Sequence, residues 1–164
     1  DTIYLLASRV HPEMFDRLKE NKVLLWHAWA DQDMAEEIWE HRTVFLIGGG
    51  TTSGIRAINV GYLLGFRKFV LYGMDSCLAP DGLTKRFNGD GSGQMVKVQV
   101  GWHRGVEHGC DTESREFTCN YAMAQQANDF NTCFHHMPDA SFEVKGDGLL
   151  AAIVAQRIAM GLHA

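Results

Sequence analysis

Residues 43–76 read TVFLIGGGTTSGIRAINVGYLLGFRKFVLYGMDS, and this stretch decides the fold. The apolar run at residues 43–47 has the length and composition of a buried strand, and a glycine-rich turn ends it abruptly. Residues 54–64 carry apolar side chains on most sides of a helical repeat, which is typical of a helix packed closely on a sheet. A second apolar run follows at residues 69–72. The order strand, helix, strand predicts parallel strands joined by right-handed crossovers.

The same alternation continues on both sides of this stretch. Further strands are predicted at Ile3–Ala7, at residues 23–26 and at residues 141–144, and the Pro12 ring is placed to open a helix. A helix beginning near Tyr121 should present one apolar face, and a last helix should span residues 149–160. The expected face consists of Met123, Ala127, Phe130 and Phe134. We therefore predict an α/β protein with a Rossmann-like three-layer sandwich and a mostly parallel sheet.

Residues 79–119 interrupt this pattern. A turn-rich segment precedes Val96, Val98 and Val100, which alternate with polar or small residues as in a half-exposed strand. Residues 116–119 are expected to return antiparallel to that strand. We predict one domain over residues 1–164 with a hairpin or lid inserted at about 79–119. Because the sequence passes at once into an apolar strand, we also expect an incomplete domain lacking its N-terminal part.

Composition restricts the classes of partner. The net charge of −5 provides no basic field for nucleic acid or for an anionic membrane surface, and no apolar run approaches the roughly 20 residues that span a bilayer. The four cysteines lack CxxC spacing and do not suggest a disulfide scaffold, so we expect free thiols and a cytoplasmic location. The expected partners are small molecules, and an oligomer is left open.

The glycine-rich turn is the first candidate site. Without Cβ atoms its backbone can approach a ligand closely, and the unpaired N–H groups of the following helical turn favour an anion. The predicted phosphate-binding residues are Gly48, Gly49, Gly50, Thr51, Thr52, Ser53 and Gly54. The turn is neither a Walker loop, which needs Lys-Ser/Thr where Ile55 and Arg56 stand, nor the dinucleotide fingerprint, which needs a glycine at Ser53. A purely structural turn is the alternative.

Four nearby residues extend this site. Arg56 and Asn59 share a helix face, where Arg56 would reach a phosphate; the alternative is a solvated arginine and an asparagine bonded to nearby backbone. Asp75 and Ser76 follow the next strand, at the end where ligands bind in open α/β sheets. The Asp75 carboxylate could hold a ribose hydroxyl, a Mg²⁺ ion or a substrate amine, or it could simply start a turn.

Other polar residues give weaker signals. His103, His108 and Cys110 lie close together in the sequence, but their spacing matches no compact zinc motif, so no zinc is expected. His103 is a candidate acid or base delivered by the hairpin, with a surface histidine as the alternative. Asp147, between two glycines, is expected to cap the final helix, with a ligand contact as the alternative.

Residues 47–76 resemble the 6-hydroxymethylpterin diphosphokinase MptE-like family, which is similar to motility accessory factors and more remotely to bacterial lipooligosaccharide sialyltransferases. These proteins share a progression of Ser-Gly, helix, Leu-Gly-Tyr/Phe, strand and Gly-x-Asp. Further similarity lies in SRVHP at residues 8–12, MAQQANDF at residues 123–130 and GDGLL at residues 146–150. A Gly-Pro-Ser-Leu turn that family members usually carry after their first strand has no counterpart here.

The resemblance implies a Rossmann-like fold that binds a nucleotide and transfers a group from it. In the pterin enzymes the group is diphosphate from ATP with Mg²⁺, and in the sialyltransferase relatives it is a sugar from a CMP donor. Carried over by position, Gly48 to Gly54 and Asp75 would face the ligand. The sialyltransferase-like relatives use a histidine from a comparable mobile region, and His103 is the candidate for that role here. A non-catalytic phosphate-binding module is the alternative to both enzymes.

Overall fold

The computed structural model of the chain describes residues 2–29, 32–41, 45–79, 94–103 and 112–164. It is an α/β protein with mostly parallel strand pairs, as the sequence predicts. The chain divides into two compact units, Asp1–Gly49 and Gly50–Ala164. Within the described ranges, no helix combines the length and the apolar character that crossing a bilayer requires.

The N-terminal unit is a parallel three-stranded sheet with two helices. Its elements are β1 (Ile3–Ala7), α1 (Pro12–Leu18), β2 (Lys22–Ala28), α2 (Gln32–His41) and β3 (Leu46–Ile47). The strand order is β1-β2-β3. The predicted proline start of α1 is confirmed, and the His11 Nδ1 atom accepts a hydrogen bond from the Glu13 N–H at 3.4 Å. Residues 42–44, which include the start of the strand predicted at 43–47, lie outside the described residues.

The C-terminal unit contains a parallel pair of strands, an antiparallel pair and three helices. Its elements are α3 (Ser53–Leu63), β4 (Lys68–Tyr72), β5 (Met95–His103), β6 (Thr112–Asn120), α4 (Tyr121–His136), β7 (Ser141–Lys145) and α5 (Leu149–Ala159). Strand β4 pairs in parallel with β7, and β5 pairs antiparallel with β6, as expected for the two strands of the predicted hairpin. The residues between β5 and β6 lie outside the described ranges.

Aromatic side chains from α4 and β7 form the centre of the C-terminal core. Phe130 is fully buried, with ring centroids 5.2 Å from Phe134 and 5.5 Å from Phe142 in edge-to-face arrangements. Phe142 also stacks on Phe69 of β4 at 5.3 Å. The four residues predicted to form one face of α4 are all buried, because helical spacing places them together against the sheet.

Replacement of Phe130 by alanine should therefore destabilise the C-terminal unit by about 3–5 kcal/mol, through lost burial and the cavity that remains. Urea denaturation followed by circular dichroism measures this loss. Phe66→Ala is the control, because its exposed ring should contribute within about 0.5 kcal/mol. Equal effects of the two substitutions would contradict the assigned core.

A cluster of Asp139, Arg67 and Tyr62 links the loop between α4 and β7 to α3 and to the loop between α3 and β4. The Asp139 carboxylate accepts hydrogen bonds from the Tyr62 hydroxyl and, at 2.6 Å, from Arg67 Nε. The Arg67 guanidinium also lies over the Tyr62 ring, 4.0 Å from its centroid. The hydrogen bonds from Tyr62 and Arg67 lower the pKa of Asp139 below its ordinary value, because they stabilise the carboxylate form.

Stability should consequently depend on pH through Asp139. A carboxyl group with a lowered pKa in the folded state stabilises the fold above its unfolded pKa, near 3.8, and this contribution is lost as the pH falls through the lower folded value. Asp139→Asn should lower the urea midpoint at pH 6 and flatten its decline between pH 5 and pH 3. Asp147→Asn, at an exposed position, is the control. A decline as steep in Asp139→Asn as in the unmodified protein would show that Asp139 is not responsible.

Candidate functional site

A cavity of about 300 Å³ lies within the C-terminal unit, at the carboxyl end of β4. Three segments line it: the start of α3, the segment after β4 and the first half of α4. The lining residues are Thr52, Ser53, Gly54, Gly73, Met74, Asp75, Ser76, Cys77, Met123 and Gln126. The structure therefore brings together five residues that the sequence singles out from two separate motifs: Thr52, Ser53, Gly54, Asp75 and Ser76.

The first turn of α3 supplies hydrogen-bond donors to the cavity. Thr52 is the N-cap residue, with an extended backbone, and its Oγ1 accepts a hydrogen bond from the Ile55 N–H at 3.5 Å. The N–H groups of Ser53 and Gly54 are the next donors of this turn, and no acceptor for either is found within the described part of the chain. Such unpaired groups, with the helix dipole, give the start of a helix its affinity for anions.

Thr51 differs from expectation. Its N–H donates to Asp129 Oδ2 at 2.7 Å and its hydroxyl donates to the same atom at 3.0 Å. Gln125 Nε2 donates to the other carboxylate oxygen of Asp129 at 2.9 Å. A carboxylate of α4 therefore occupies the donors of Thr51 that the sequence assigned to a ligand. The reason is a contact over 78 positions in the sequence, which the local motif does not encode.

Arg56 and Asn59 are also engaged within the chain. Arg56 Nε donates to the carbonyl oxygen of Gly50 at 3.0 Å, so it braces the turn before α3. Asn59 Nδ2 donates to the carbonyl oxygen of Ile55 at 3.0 Å, which is the backbone-bonded alternative considered for it. Neither residue is among those lining the cavity.

The glycines of the turn have distinct roles. Gly50 has φ +87°, and a Cβ atom there would lie 2.4 Å from the Cγ2 atom of Ile55. Both the backbone conformation and the packing therefore require glycine at this position. Gly48 and Gly49 belong to the N-terminal unit, and their assignment to a phosphate stays a prediction.

The segment after β4 is held tightly against the start of α5. The Leu149 N–H donates to the carbonyl oxygen of Asp75 at 2.8 Å. A Cβ atom at Gly148 would lie 2.6 Å from that same oxygen, so only glycine permits this approach. Gly148 is the N-cap residue of α5, which makes the prediction of an Asp147 cap wrong. The close packing puts Gly148 in the cap position, and the Asp147 carbonyl instead accepts a hydrogen bond from Arg115 Nη2 at 2.8 Å.

Ser76 combines burial with an unusual backbone. Its φ is +53°, the left-handed region that a residue with a Cβ atom rarely adopts, and the residue is 7% exposed. Such a conformation costs about 1–3 kcal/mol and is concentrated at functional sites. Its carbonyl oxygen accepts a hydrogen bond from Cys119 Sγ at 3.3 Å, and its hydroxyl donates to Gln126 Oε1 at 2.6 Å.

Gln126 lines this cavity and is not among the site residues that the sequence predicts. Its Nε2 atom donates to Thr52 Oγ1 at 2.8 Å, so it joins the start of α3 to the segment after β4. The one signal for it in the sequence is the resemblance of residues 123–130 to other proteins.

The remaining candidates are His103, His108 and Cys110. His103 ends β5, but its side chain is outside the described part, so its acid–base role stays a prediction. His108 and Cys110 also lie outside the described residues. Burial raises the pKa of the Cys119 thiol to about 11, so it is protonated at neutral pH. No cluster of three or more metal-ligating side chains is found among the residues that are described.

No protein-family model, curated protein or solved structure shows significant similarity to this chain. The interpretation of the cavity therefore depends on its own geometry.

The different roles of the turn glycines can be measured. Gly50→Ala should destabilise the C-terminal unit by at least about 1–2 kcal/mol, because alanine is strained at φ +87° and its methyl group collides with Ile55. Gly48→Ala is the matched control: an added Cβ there meets nothing within 4 Å, and a change within about 0.5 kcal/mol is expected. Urea denaturation measures the free energy of unfolding of both variants. Equal values for Gly50→Ala and Gly48→Ala would show that Gly50 is not required by its conformation and packing.

Proposed function

We propose that this chain is a nucleotide-dependent transferase, and that the cavity at the start of α3 holds a phosphoryl group of the nucleotide. The observation that carries the proposal is the meeting of two elements around one cavity. These are the N–H groups of Ser53 and Gly54, for which the described residues offer no acceptor, and the Asp75–Ser76 segment at the carboxyl end of β4. Phosphate groups bind at helix starts in this position of open α/β sheets.

Local dipoles must supply the attraction for an anion, because the net charge of the chain is −5. The N–H groups of Ser53 and Gly54 and the hydroxyl groups of Thr52 and Ser53 form the donor side of the cavity. Donors fixed by a helix and a cap need little reorganisation when charge develops on a transferring phosphoryl group. We assign this electrostatic role to the start of α3. Arg56 only stabilises the preceding turn, through its hydrogen bond to Gly50.

Asp75 is proposed to position the acceptor or a Mg²⁺ ion. Mg²⁺ is commonly bound by one or two carboxylates together with substrate phosphates, so a single carboxylate beside a phosphate site fits this ion. When bound, Mg²⁺ would neutralise phosphate charge. The proposed fold is the Rossmann-like three-layer sandwich, supported by the parallel pairs β1–β2, β2–β3 and β4–β7 and by the alternation of strands and helices.

For the reaction we propose diphosphate transfer from ATP, following the resemblance of residues 47–76. An acceptor hydroxyl oxygen would bond to the β-phosphorus while the bond from that phosphorus to the α,β-bridging oxygen breaks. The hydroxyl proton would pass to a base, and AMP would leave. Sugar transfer from a CMP donor is the competing reaction. Thermal-shift measurements with ATP, GTP, CMP and UDP-sugars distinguish the two, and the absence of any shift would contradict both.

The phosphate assignment has a specific test in Ser53→Pro. Proline removes the N–H group and is well tolerated at the first helical position, and the extended backbone of Thr52 (φ −119°, ψ 155°) suits a residue before proline. We expect roughly tenfold weaker ATP binding by titration calorimetry with little loss of stability, because one hydrogen bond to a charged group contributes about 1.5–3 kcal/mol.

Ser53→Ala is the control for this variant. It removes the hydroxyl group and keeps the N–H, so it should retain more affinity than Ser53→Pro. Unchanged ATP affinity in a folded Ser53→Pro variant would exclude the start of α3 as the phosphate site.

A further inference from the structure

Gln126 spans the cavity as a hydrogen-bonded bridge. Its Oε1 atom accepts from the Ser76 hydroxyl at 2.6 Å, and its Nε2 atom donates to Thr52 Oγ1 at 2.8 Å. The bridge therefore links the strained, buried residue after β4 to the N-cap residue of α3, and its contact with Thr52 joins residues 74 positions apart in the sequence. All three side chains line the same cavity.

The bridge fixes the hydrogen-bonding role of Thr52. A hydroxyl oxygen has two acceptor positions and one proton. Thr52 Oγ1 accepts from Gln126 Nε2 and from the Ile55 N–H, so both acceptor positions are filled. In the described part of the chain no group accepts the Thr52 proton. The hydroxyl is thus left as a donor, in a residue that lines the cavity.

We propose that Gln126 is a positioning residue that orients the Thr52 hydroxyl as a donor to the ligand. This inference rests on the proposed function and deepens it. With its acceptor capacity filled, Thr52 adds a third donor beside the N–H groups of Ser53 and Gly54. The subsite then selects a group that offers acceptors alone, as the oxygen atoms of a fully ionised phosphate or diphosphate do, over groups that must donate, such as an ammonium.

Two substitutions of Gln126 test this role. Gln126→Met has a similar volume but cannot hydrogen bond, so Thr52 loses its orientation, and we expect about tenfold weaker binding of inorganic pyrophosphate. Gln126→Glu introduces a carboxylate at pH 7, which accepts the Thr52 proton and adds like charge, and we expect about a hundredfold loss. Asn131→Met, at an exposed position of the same helix, is the matched control and should bind as the unmodified protein does.

The pH dependence of Gln126→Glu separates orientation from a merely structural role. A protonated carboxyl group can accept from Ser76 and donate to Thr52 as the amide does. Its pyrophosphate affinity, divided by that of the unmodified protein at the same pH, should therefore rise towards one between pH 7 and pH 4.5. Titration calorimetry at several pH values measures this ratio, and it gives the answer even where Gln126→Met proves unstable.

The outcomes separate the two proposals. If the unmodified protein binds neither pyrophosphate nor ATP, the proposed function and the role of Gln126 both fall. If it binds them and Gln126→Met matches Asn131→Met, the role of Gln126 is overturned while the phosphate site stands. A Gln126→Glu ratio that does not change with pH would likewise overturn the orienting role.

Discussion

The hydrogen bond from the Leu149 N–H to the carbonyl oxygen of Asp75 is the contact on which the cavity depends. It joins the carboxyl ends of two parallel neighbours, β4 and β7, and it forms because Gly148 has no Cβ atom. The join holds the Asp75 backbone at the start of α5, and the next residue, Ser76, has a left-handed conformation and hydrogen bonds to Gln126. The wall of the cavity after β4 is thus a consequence of how α5 begins.

Charge is distributed unevenly around the start of α3. The Asp129 carboxylate accepts hydrogen bonds from both donors of Thr51, so a negative charge of the protein itself already lies beside this residue. Thr52, Ser53 and Gly54, by contrast, line the cavity. In the proposed function their donors bind one phosphoryl group by local dipoles, because the net charge of −5 gives no broad field that would attract it.

Local patterns in the sequence predicted the helices and strands well, but they did not predict the long-range contacts. The helix predicted at residues 54–64 is Ser53–Leu63, and the apolar face of α4 is buried as expected, because periodicity reports burial directly. Glycine-rich and Gly-x-Asp motifs also located two walls of the cavity. The contacts of Gln126 with Thr52 and of Asp129 with Thr51 join residues more than 70 positions apart. The prediction of an Asp147 cap was wrong because Gly148 packs on Asp75. No local preference encodes such tertiary contacts.

The proposed phosphate site requires that the amides at the start of α3 contact an anion directly. Titration of ¹⁵N-labelled protein with inorganic pyrophosphate, followed by amide chemical shifts, tests it without assuming a reaction. We expect saturable shifts that are largest at the N–H signals of Ser53 and Gly54, with little change at Thr51, whose N–H donates to Asp129. Saturable shifts confined to other residues, or unshifted Ser53 and Gly54 signals throughout the titration, would contradict it.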